Sequence, residues 1–463
     1  MLMSIKKGDI LEVEVEKMVA GGLGISRSNG YVIFVKGGVP GDKVKVKVYK
    51  KKKDYAEAKV IEVITPSLYR TEPLCPYYGY CGGCQWQHIR YDAQLIYKRE
   101  LVEEAMNRIG GLKNVPILQT IPSPKLLEYR NKMEFTFSNR PWLMPSQLNE
   151  TKKPDFALGL HIPGSFNKVI DIKSCFLQPD KGNLILEIVR GYVKKTGIPV
   201  YNMKTHEGFW RFLTLKNSSK FGEWMVNIIT ADDAPQVITP LAEEILSRLS
   251  NIRTVVNNIS KKKAAVAIGD KELIIIGDGY IEDMIGEFKF RISANSFFQT
   301  NPKGAENLYN KVREYAELTG EEIVLDLYSG TGTIPIFLSG EAKKILGIEI
   351  NRDAIIDARK NCEINGIVNC EFYIGDIKDI ISEIDINPDV VIIDPPRPGM
   401  HKDVVRKVME VSAKRIVYVS CNPATMARDL NYLSEQYEIK EIQPVDMFPC
   451  THHIEAVAKC VKK

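Results

Sequence analysis

The sequence has no long hydrophobic run, although a helix that crosses a membrane needs about 20 mostly apolar residues. The segment from Met1 to Lys17 carries charge from Lys6 onward and has no apolar stretch of the kind found in signal peptides. Internal repeats and low-complexity segments are also absent. We therefore expect a cytoplasmic protein with no membrane partner, rather than a membrane protein, a secreted protein or a repeat array.

The sequence also gives no sign of a disulfide framework, because its nine cysteines are an odd number. Structural disulfides are rare in the reducing cytosol, where we expect this chain to stay. Metal binding and catalysis are therefore the roles to test for cysteines that cluster or stand beside reactive neighbours.

The composition is that of a globular chain, with 44% hydrophobic and 26% charged residues among 463. At about 150 residues per domain, this length is sufficient for roughly three domains. Strand-like runs dominate the middle of the chain, and strands alternate with helices from about Arg291. We predict a multidomain protein of α/β plus β class, with a β-barrel at residues 1–66, a β-rich domain at 67–287 and an α/β domain at 288–463.

The first of these domains alternates apolar and polar residues in short runs that glycine turns separate, which predicts a small barrel of the OB type. The net charge of the whole chain is only +5, but nine lysines stand between Lys36 and Lys59 against three acidic residues. Such a local positive field suits RNA phosphates, and OB folds commonly bind nucleic acid. The alternative is a solvated lysine-rich edge that only prevents aggregation.

Three cysteines, Cys75, Cys81 and Cys84, lie within ten residues among glycines and a proline. Tight turns bring their thiolates together, and the repulsion between them favours a bound cation. Zinc and an iron–sulfur cluster both fit this spacing, and both need four ligands. His88 and a distant cysteine, such as Cys175, are the candidates for the fourth. A redox-active Cys-x-x-Cys pair is the competing hypothesis, although no βαβ pattern surrounds it.

The third domain places an acidic residue at or near the end of four successive predicted strands. These residues are Asp326, Glu349, Asp376 and Asp394. A glycine turn that begins at Tyr328 follows the first strand, and its glycines allow a ligand to approach the backbone closely. Glu349 is placed to accept from ribose hydroxyls and Asp376 from an adenine amino group. This combination resembles the class I S-adenosylmethionine-dependent methyltransferases, which need no pyrophosphate site.

The segment from Ile416 to Thr425 has the pattern of a buried strand that ends in a reactive residue. Its apolar, β-branched run stops at Ser-Cys-Asn-Pro, which places Cys421 at the carboxyl edge of a parallel strand. Open α/β sheets carry their chemistry at that edge. A packed core cysteine is the alternative, because free cysteines are often buried.

Together, these motifs resemble the RNA uracil-5-methyltransferase family, and within it the RumA-like enzymes of 23S rRNA. The resemblance covers nearly the whole chain, from a barrel that resembles a TRAM domain to the segment between Pro449 and Glu455. It implies a [4Fe-4S] cluster on Cys75, Cys81, Cys84 and Cys175. It implies contacts to S-adenosylmethionine from Gln299, Tyr328, Glu349, Asp376 and Asp394. It also implies an RNA substrate, Cys421 as nucleophile and Glu455 as general base.

The chemistry of uracil requires two residues of these types. Carbon 5 is too weak a nucleophile to take a methyl group, but addition of a thiolate at carbon 6 converts it into an enolate carbon. The proton on carbon 5 must then leave so that the thiolate can be eliminated, which needs a base. Cys421 and Glu455 match these roles. The target uridine must also leave its stack to reach such a pocket.

The sequence alone leaves several other hypotheses open. Within the family, 23S rRNA is the favoured substrate, tRNA is the alternative, and we expect a monomer. An amino-methyltransferase of adenine or guanine would use the motif at Asp394 but needs no cysteine nucleophile. An RNA-binding assembly factor without catalysis is the alternative of a different class. The chain also departs from the family at Cys450, where a histidine is usual and a thiol is a weaker hydrogen-bond partner.

Overall fold

The computed structural model describes residues 5–28, 30–149, 154–165, 167–384 and 386–463. Three large β-sheets and one two-stranded hairpin follow one another along this described part of the chain. The domain bounds 1–66, 67–287 and 288–463 stay a prediction, and residues 1–4 lie outside the described residues. Among the helices that the structure describes, none combines the length and apolar character that a membrane crossing requires.

The first sheet is built from the alternating runs near the N-terminus. Its strands are β1 (Ile10–Glu14), β2 (Lys17–Val19), β3 (Leu23–Ser28), β4 (Tyr31–Lys36), β5 (Lys43–Lys51) and β6 (Tyr55–Thr65), in the order β1-β5-β6-β4-β3-β2. Alternate valines and alanines are buried inside the curled sheet, as a period of two requires. The N–H of Glu16, after β1, donates to the carbonyl of Ile25 in β3 at 2.8 Å, which brings the two edges together.

The second sheet is built from the middle of the chain. Its elements, with the helix that precedes it, are α1 (Tyr91–Arg108), β7 (Lys132–Ser138), β8 (Ala157–His161), β9 (Val169–Asp171), α2 (Asp180–Thr196), β10 (Trp210–Asn217), β11 (Trp224–Thr230), α3 (Pro235–Arg248), β12 (Ile252–Ile259) and β13 (Lys271–Ile276). The strand order is β13-β12-β11-β10-β7-β8-β9. Strands β10 and β11 are buried along their whole length, and α2 and α3 pack into the same apolar core.

The third sheet is preceded by a hairpin that spans the predicted bound at residue 287. The remaining elements are β14 (Tyr280–Ile285), β15 (Phe288–Ser293), α4 (Pro302–Ala316), β16 (Ile323–Leu327), α5 (Thr333–Leu338), β17 (Lys344–Glu349), α6 (Arg352–Ile364), β18 (Cys370–Ile374), α7 (Ile377–Glu383), β19 (Val390–Ile393), α8 (Lys402–Val411), β20 (Arg415–Ser420), α9 (Pro423–Leu433), β21 (Tyr437–Val445) and β22 (Glu455–Lys462). The order is β18-β17-β16-β19-β20-β22-β21, and β22 runs antiparallel to both its neighbours.

This third sheet has the doubly wound, Rossmann-like form that the sequence predicts. Helices α4, α5 and α6 contribute to the apolar core on one face, and α1, α8 and α9 to the core on the other. The strand order reverses between β16 and β19, and ligands of such sheets bind at the carboxyl ends of the strands beside that reversal. The acidic residues singled out in the sequence lie at this edge.

The barrel packs against the start of α1. Met18 of the barrel forms one buried apolar cluster with Trp86, Ile89 and Tyr97. The indole N–H of Trp86 also donates to the carbonyl of Gly22 in the barrel, at 3.2 Å. Through these contacts the barrel lies beside helix α1, which packs on the third sheet.

Candidate active site and cysteine cluster

Cys421 lies in the tight turn between β20 and α9. Asn422 caps the helix, since its side-chain oxygen accepts from the N–H of Ala424 at 3.1 Å, and Pro423 occupies the first helical position. The hydroxyl of Ser420 accepts from the N–H of Asn422 at 3.1 Å. The Ser-Cys-Asn-Pro sequence therefore ends the strand, begins the helix and leaves Cys421 half-buried at the edge of the sheet.

Glu455 and Asp394 lie at the same edge as Cys421. Glu455 is the first residue of β22, which pairs with β20 so that Ala456 is opposite Ser420. Asp394 follows β19, the other neighbour of β20. The structure thus brings together three residues that are up to 61 positions apart in the sequence (455 − 394).

Burial and mutual repulsion shift the pKa values of this group. Burial first, and then the Glu455 carboxylate, raise the pKa of the Cys421 thiol to about 11, while the Arg397 guanidinium lowers it. Burial, and next the charge of Asp394, raise the pKa of Glu455 well above its usual value. Burial also raises the pKa of Asp394 to about 6. Carboxyl groups with raised pKa values are suited to proton transfer near neutral pH.

Arg397 is held beside Cys421 by contacts between the loop after β19 and helix α9. The carbonyl of Arg397 accepts from the side-chain amide of Asn422 at 3.0 Å. Gly399, in the same loop, has a φ of +78°, and a Cβ there would lie 2.6 Å from Nη2 of Arg428. Glycine is therefore required at this position. Contacts with α9, the helix after Cys421, therefore fix the position of the loop that begins at Asp394.

Four of the residues expected to bind the cofactor lie along the edge of the sheet. The carboxylate of Glu349, at the end of β17, accepts from the N–H of Gly330 in the glycine turn at 3.0 Å. Tyr328 adopts a left-handed φ of +64° in that turn. Asp376 caps α7, and its charge, after burial and Asp429, helps to raise the pKa of Tyr328 to about 12. Asp394 is the fourth.

Gln299 approaches this edge from the loop before α4. Burial, followed by the charges of Asp394 and Asp326, raises the pKa of the Tyr309 hydroxyl, while the side chain of Gln299 lowers it. The carbonyl of Gln299 accepts from the side chain of Asn131 in the central domain at 3.0 Å. The central domain therefore supports the loop that carries this residue.

Asp326 belongs to the acidic strand ends noted in the sequence, but it was not among the residues expected to contact the cofactor. Its side chain is 1% exposed, and neither carboxylate oxygen has a hydrogen-bond partner among the described residues. Burial, then Asp394 and Glu349, raise the pKa of Asp326 well above its usual value. An unpartnered buried carboxylate beside two others favours a cationic ligand, and S-adenosylmethionine carries sulfonium and ammonium charges. In the sequence, Asp326 stands out as a carboxylate inside an otherwise apolar strand.

The four cysteines of the implied cluster line one small cavity. They are Cys75, Cys81, Cys84 and Cys175. His88 is not part of its lining, and its Nδ1 bonds to the hydroxyl of Tyr78. In the described ranges, no three His, Cys, Asp or Glu side chains stand close enough to hold a single metal ion. A zinc site, with Zn–S bonds of about 2.3 Å, would need its sulfurs within about 4 Å of one another.

The loop that carries the cysteines supports the segment before Glu455. The backbone N–H groups of Gln85 and Trp86 both donate to the carbonyl of Cys450, at 3.0 and 2.9 Å. The N–H of Cys450 donates to the side chain of Gln94 at 2.9 Å. Cys450 is thus held through its backbone, so a thiol in place of the usual imidazole leaves these contacts intact.

The sheet order, the glycine turn and the acidic strand ends define a class I S-adenosylmethionine-dependent methyltransferase. A model of the tRNA (Uracil-5-)-methyltransferase family matches residues 239–462, and a model of the TRAM domain matches residues 5–61. The chain belongs to the RNA uracil-5-methyltransferase family, and its activity is the S-adenosylmethionine-dependent methylation of RNA.

Relatives of similar length support this assignment. The chain is 40% identical to an uncharacterized RNA methyltransferase of Chlorobaculum tepidum, over 98% of this chain and 96% of the relative. It is 44% identical to an uncharacterized RNA methyltransferase of Bacteroides thetaiotaomicron, over 95% and 99% of the two chains. The crystal structure of Pyrococcus abyssi tRNA (uracil-54, C5)-methyltransferase in complex with S-adenosyl-L-homocysteine is 30% identical, with a TM-score of 0.75 over 97% of this chain and 100% of that one.

These comparisons decide between several of the hypotheses drawn from the sequence. The resemblance to the uracil-5-methyltransferases and the TRAM domain at the N-terminus are confirmed. The hypothesis of an assembly factor without catalysis is wrong, because the chain is similar to enzymes along its whole length. Membership in a uracil-5 family likewise contradicts the hypothesis of an adenine or guanine amino-methyltransferase.

Proposed function

We propose that this protein methylates carbon 5 of a uridine through a covalent bond between Cys421 and carbon 6 of the base. The observation that carries the proposal is the grouping of Cys421, Glu455 and Asp394 at the ends of neighbouring strands. A nucleophile and a carboxyl group of raised pKa at one edge are the two groups that this chemistry requires.

The reaction follows from these two side chains. The Cys421 thiolate adds to carbon 6, and the electron pair of the C5–C6 double bond moves into the conjugated carbonyl, so that carbon 5 becomes nucleophilic. S-adenosylmethionine supplies the methyl group that carbon 5 takes. Glu455 then removes the proton from carbon 5. The electron pair left on carbon 5 restores the double bond and expels the thiolate of Cys421.

A substitution tests this mechanism. Replacement of Cys421 by Ala should abolish both methyl transfer and any covalent protein–RNA species, because carbon 5 then lacks an adequate electron pair. The Cys460→Ala variant is a matched control, since Cys460 is buried in β22 away from the edge of the sheet. Methyl transfer by the Cys421→Ala protein would contradict the covalent mechanism.

The proposed contacts to S-adenosylmethionine are those of Gln299, Tyr328, Glu349, Asp376 and Asp394, to which we add Asp326. Support comes from the unpartnered Asp326 carboxylate beside two further carboxyl groups. The Asp326→Asn variant should bind S-adenosylmethionine at least tenfold more weakly, because one charge that favours a cationic ligand is removed. Isothermal titration measures the affinity, and equal affinity in the two proteins would exclude this contact.

We also propose that Cys75, Cys81, Cys84 and Cys175 hold a [4Fe-4S] cluster with a structural role. Support comes from the cavity that the four cysteines share. With four cysteine ligands, such a cluster has no open position for chemistry. The cluster would hold the loop whose residues Gln85 and Trp86 bond to Cys450.

Anaerobic purification tests the cluster directly. The protein should be brown, and the Cys81→Ser variant should lose both colour and bound iron, since each thiolate is a ligand. The Cys370→Ser variant, which alters a cysteine outside this cavity, should keep both. A colourless wild-type protein with stoichiometric zinc would contradict the cluster.

The substrate that we propose is 23S rRNA, because barrel and cysteine cluster together resemble the RumA-like enzymes. The T-loop of tRNA is the second candidate, since the Pyrococcus abyssi protein of similar structure is a tRNA (uracil-54, C5)-methyltransferase. Mapping of 5-methyluridine in a strain that lacks the gene separates the two. Loss of one position in 23S rRNA supports the first and loss in tRNA supports the second, while no loss in either contradicts uridine methylation.

A further inference from the structure

A cavity of about 500 Å³ lies between the barrel, helix α1 and the turn that carries Cys421. The barrel contributes Ile25 and Phe34 to its lining, α1 contributes Leu101, and the catalytic domain contributes Cys421 and His452. The nucleophile is therefore at one end of a space whose opposite wall belongs to another domain.

This cavity is larger than the target base. A uracil ring occupies roughly 130 Å³ at the packing density of protein interiors. A uracil bound against Cys421 would leave most of the space beside it open, including the part between α1 and the barrel. The open part is large enough for a second base.

The lining also carries the charges that a nucleic acid backbone needs. Four cationic side chains, Lys17, Arg27, Arg108 and Arg397, surround it against one carboxylate, Glu104. Glu104 is bonded to Lys17 at 2.8 Å and to Arg108 at 3.0 Å, so its charge is compensated within the cavity wall. Arg27 is also paired with Glu16, which stands outside the lining. The lining still carries more positive than negative charge, which suits a phosphodiester group.

An aromatic ring stands on the barrel side of the cavity. Phe34 is half-buried, and its ring packs edge-to-face on Tyr55 with the centroids 5.4 Å apart. This contact fixes the orientation of the Phe34 ring. Proteins that bind single-stranded nucleic acid stack bases on such rings, with little dependence on sequence.

The barrel is in direct contact with the catalytic segment, so this wall belongs to the active site. Gly22, at the tip of the turn between β2 and β3, has a φ of +76°. A Cβ at Gly22 would lie 2.9 Å from Nδ1 of His452, three residues before Glu455. Close approach of the barrel tip to this segment therefore requires glycine.

We propose that the cavity binds the nucleotide adjacent to the target uridine, with its base stacked on Phe34 and its phosphate held by the cationic side chains of the lining. This inference rests on the proposed uridine chemistry at Cys421. It implies that the barrel selects RNA in which at least two neighbouring nucleotides are unpaired, because a duplex cannot present two bases to one cavity.

Protection of Cys421 from iodoacetamide tests this subsite without turnover of the enzyme. Uridine monophosphate and the dinucleotide uridylyl-uridine are the two probes, and mass spectrometry of the peptide that contains Cys421 measures alkylation. In the wild-type protein the dinucleotide should protect at a concentration about tenfold lower, because only the dinucleotide adds a stacked base. Phe34→Ala should remove this difference without changing protection by the mononucleotide.

Tyr49→Ala is the matched control, because Tyr49 is a 42% exposed aromatic residue of the same barrel that does not line the cavity. In Tyr49→Ala, the difference in protection between the two probes should be the same as in the wild-type protein. Equal protection by the two probes in the wild type, or an unchanged difference in Phe34→Ala, would overturn the subsite while leaving the uridine site in place. Protection by neither probe would contradict the uridine site itself, and the proposed function and the subsite with it.

Discussion

Cys421 ionises with difficulty, since burial raises the pKa of its thiol to about 11. Glu455 and Asp394 add to this shift because their negative charges oppose a thiolate. The positive charge of Arg397 lowers the pKa of the thiol, and it stabilises the thiolate, which is the reactive form. The reactivity of the nucleophile therefore depends on one guanidinium group.

Replacement of Arg397 by Gln should raise the pKa of Cys421 further and slow its alkylation. The thiolate is the reactive form, so a higher pKa moves the rise of the alkylation rate to higher pH and lowers the rate at pH 8. A shift of one pKa unit corresponds to about a tenfold lower rate below the pKa. The pH profile of iodoacetamide labelling measures the shift, with Arg406→Gln, an exposed arginine of α8, as control. An unchanged profile would show that Arg397 does not act on the thiol.

Single residues also show how far the sequence reaches. Cys421 was named from its motif at a predicted strand end and Glu455 from the family resemblance, and the structure places both at one edge of the third sheet. The effect of Arg397 on the thiol and the unpartnered state of Asp326 were not foreseen. Both depend on distances between strands, which no local pattern contains.

Helix α1 secures the segment before Glu455 through a fully buried ion pair. Nζ of Lys98 lies 2.5 Å from Oδ1 of Asp446 and donates to the carbonyl of Phe448 at 3.0 Å. Burial lowers the pKa of Lys98, although the charge of Asp446 counteracts this effect. The partners are 348 residues apart, so no local pattern in the sequence indicates this connection.

Loss of one partner of this pair should destabilise the protein strongly. The Lys98→Met variant leaves the Asp446 carboxylate buried without compensation, which should lower the free energy of unfolding by about 3–5 kcal/mol. The double variant Lys98→Met/Asp446→Leu should recover a large part of this loss, because no buried charge remains. Urea unfolding measures both. A double variant as unstable as the sum of the single variants would contradict this account.

The barrel, helix α1 and the turn that carries Cys421 meet around one cavity, and no local pattern in the sequence indicates how they dock. Composition also does not show which lysines of the barrel are paired with carboxylates and which are free to contact RNA. Three of its lysines are paired within the barrel, Lys43 with Glu12, Lys45 with Glu62 and Lys50 with Glu57. Residues 51–53 remain exposed lysines at the end of β5. The monomeric state and the cytoplasmic location stay predictions.

Exposed and paired lysines of the barrel should differ in their effect on RNA binding. Replacement of Lys51, Lys52 and Lys53 by Gln should weaken binding and reduce the slope of log affinity against log salt by about two units, at roughly 0.7 per lost contact with single-stranded RNA. The same change at Lys43, Lys45 and Lys50 removes equal charge and should have a smaller effect, since these side chains already hold carboxylates. Filter binding measures the slopes. Unchanged affinity in the first variant would mean that the exposed lysines are only solvated.

The most direct test of the central claim, that Cys421 and Glu455 divide the chemistry between them, is the species that accumulates when Glu455 is replaced by Gln. Without the base, the thiolate should still add and the methyl group should still transfer, while proton removal and elimination slow by about 100-fold or more. A gel-stable protein–RNA adduct that carries labelled methyl should therefore build up in Glu455→Gln and in no Cys421 variant. Normal turnover of Glu455→Gln without adduct, or an adduct in Cys421→Ala, would contradict the account.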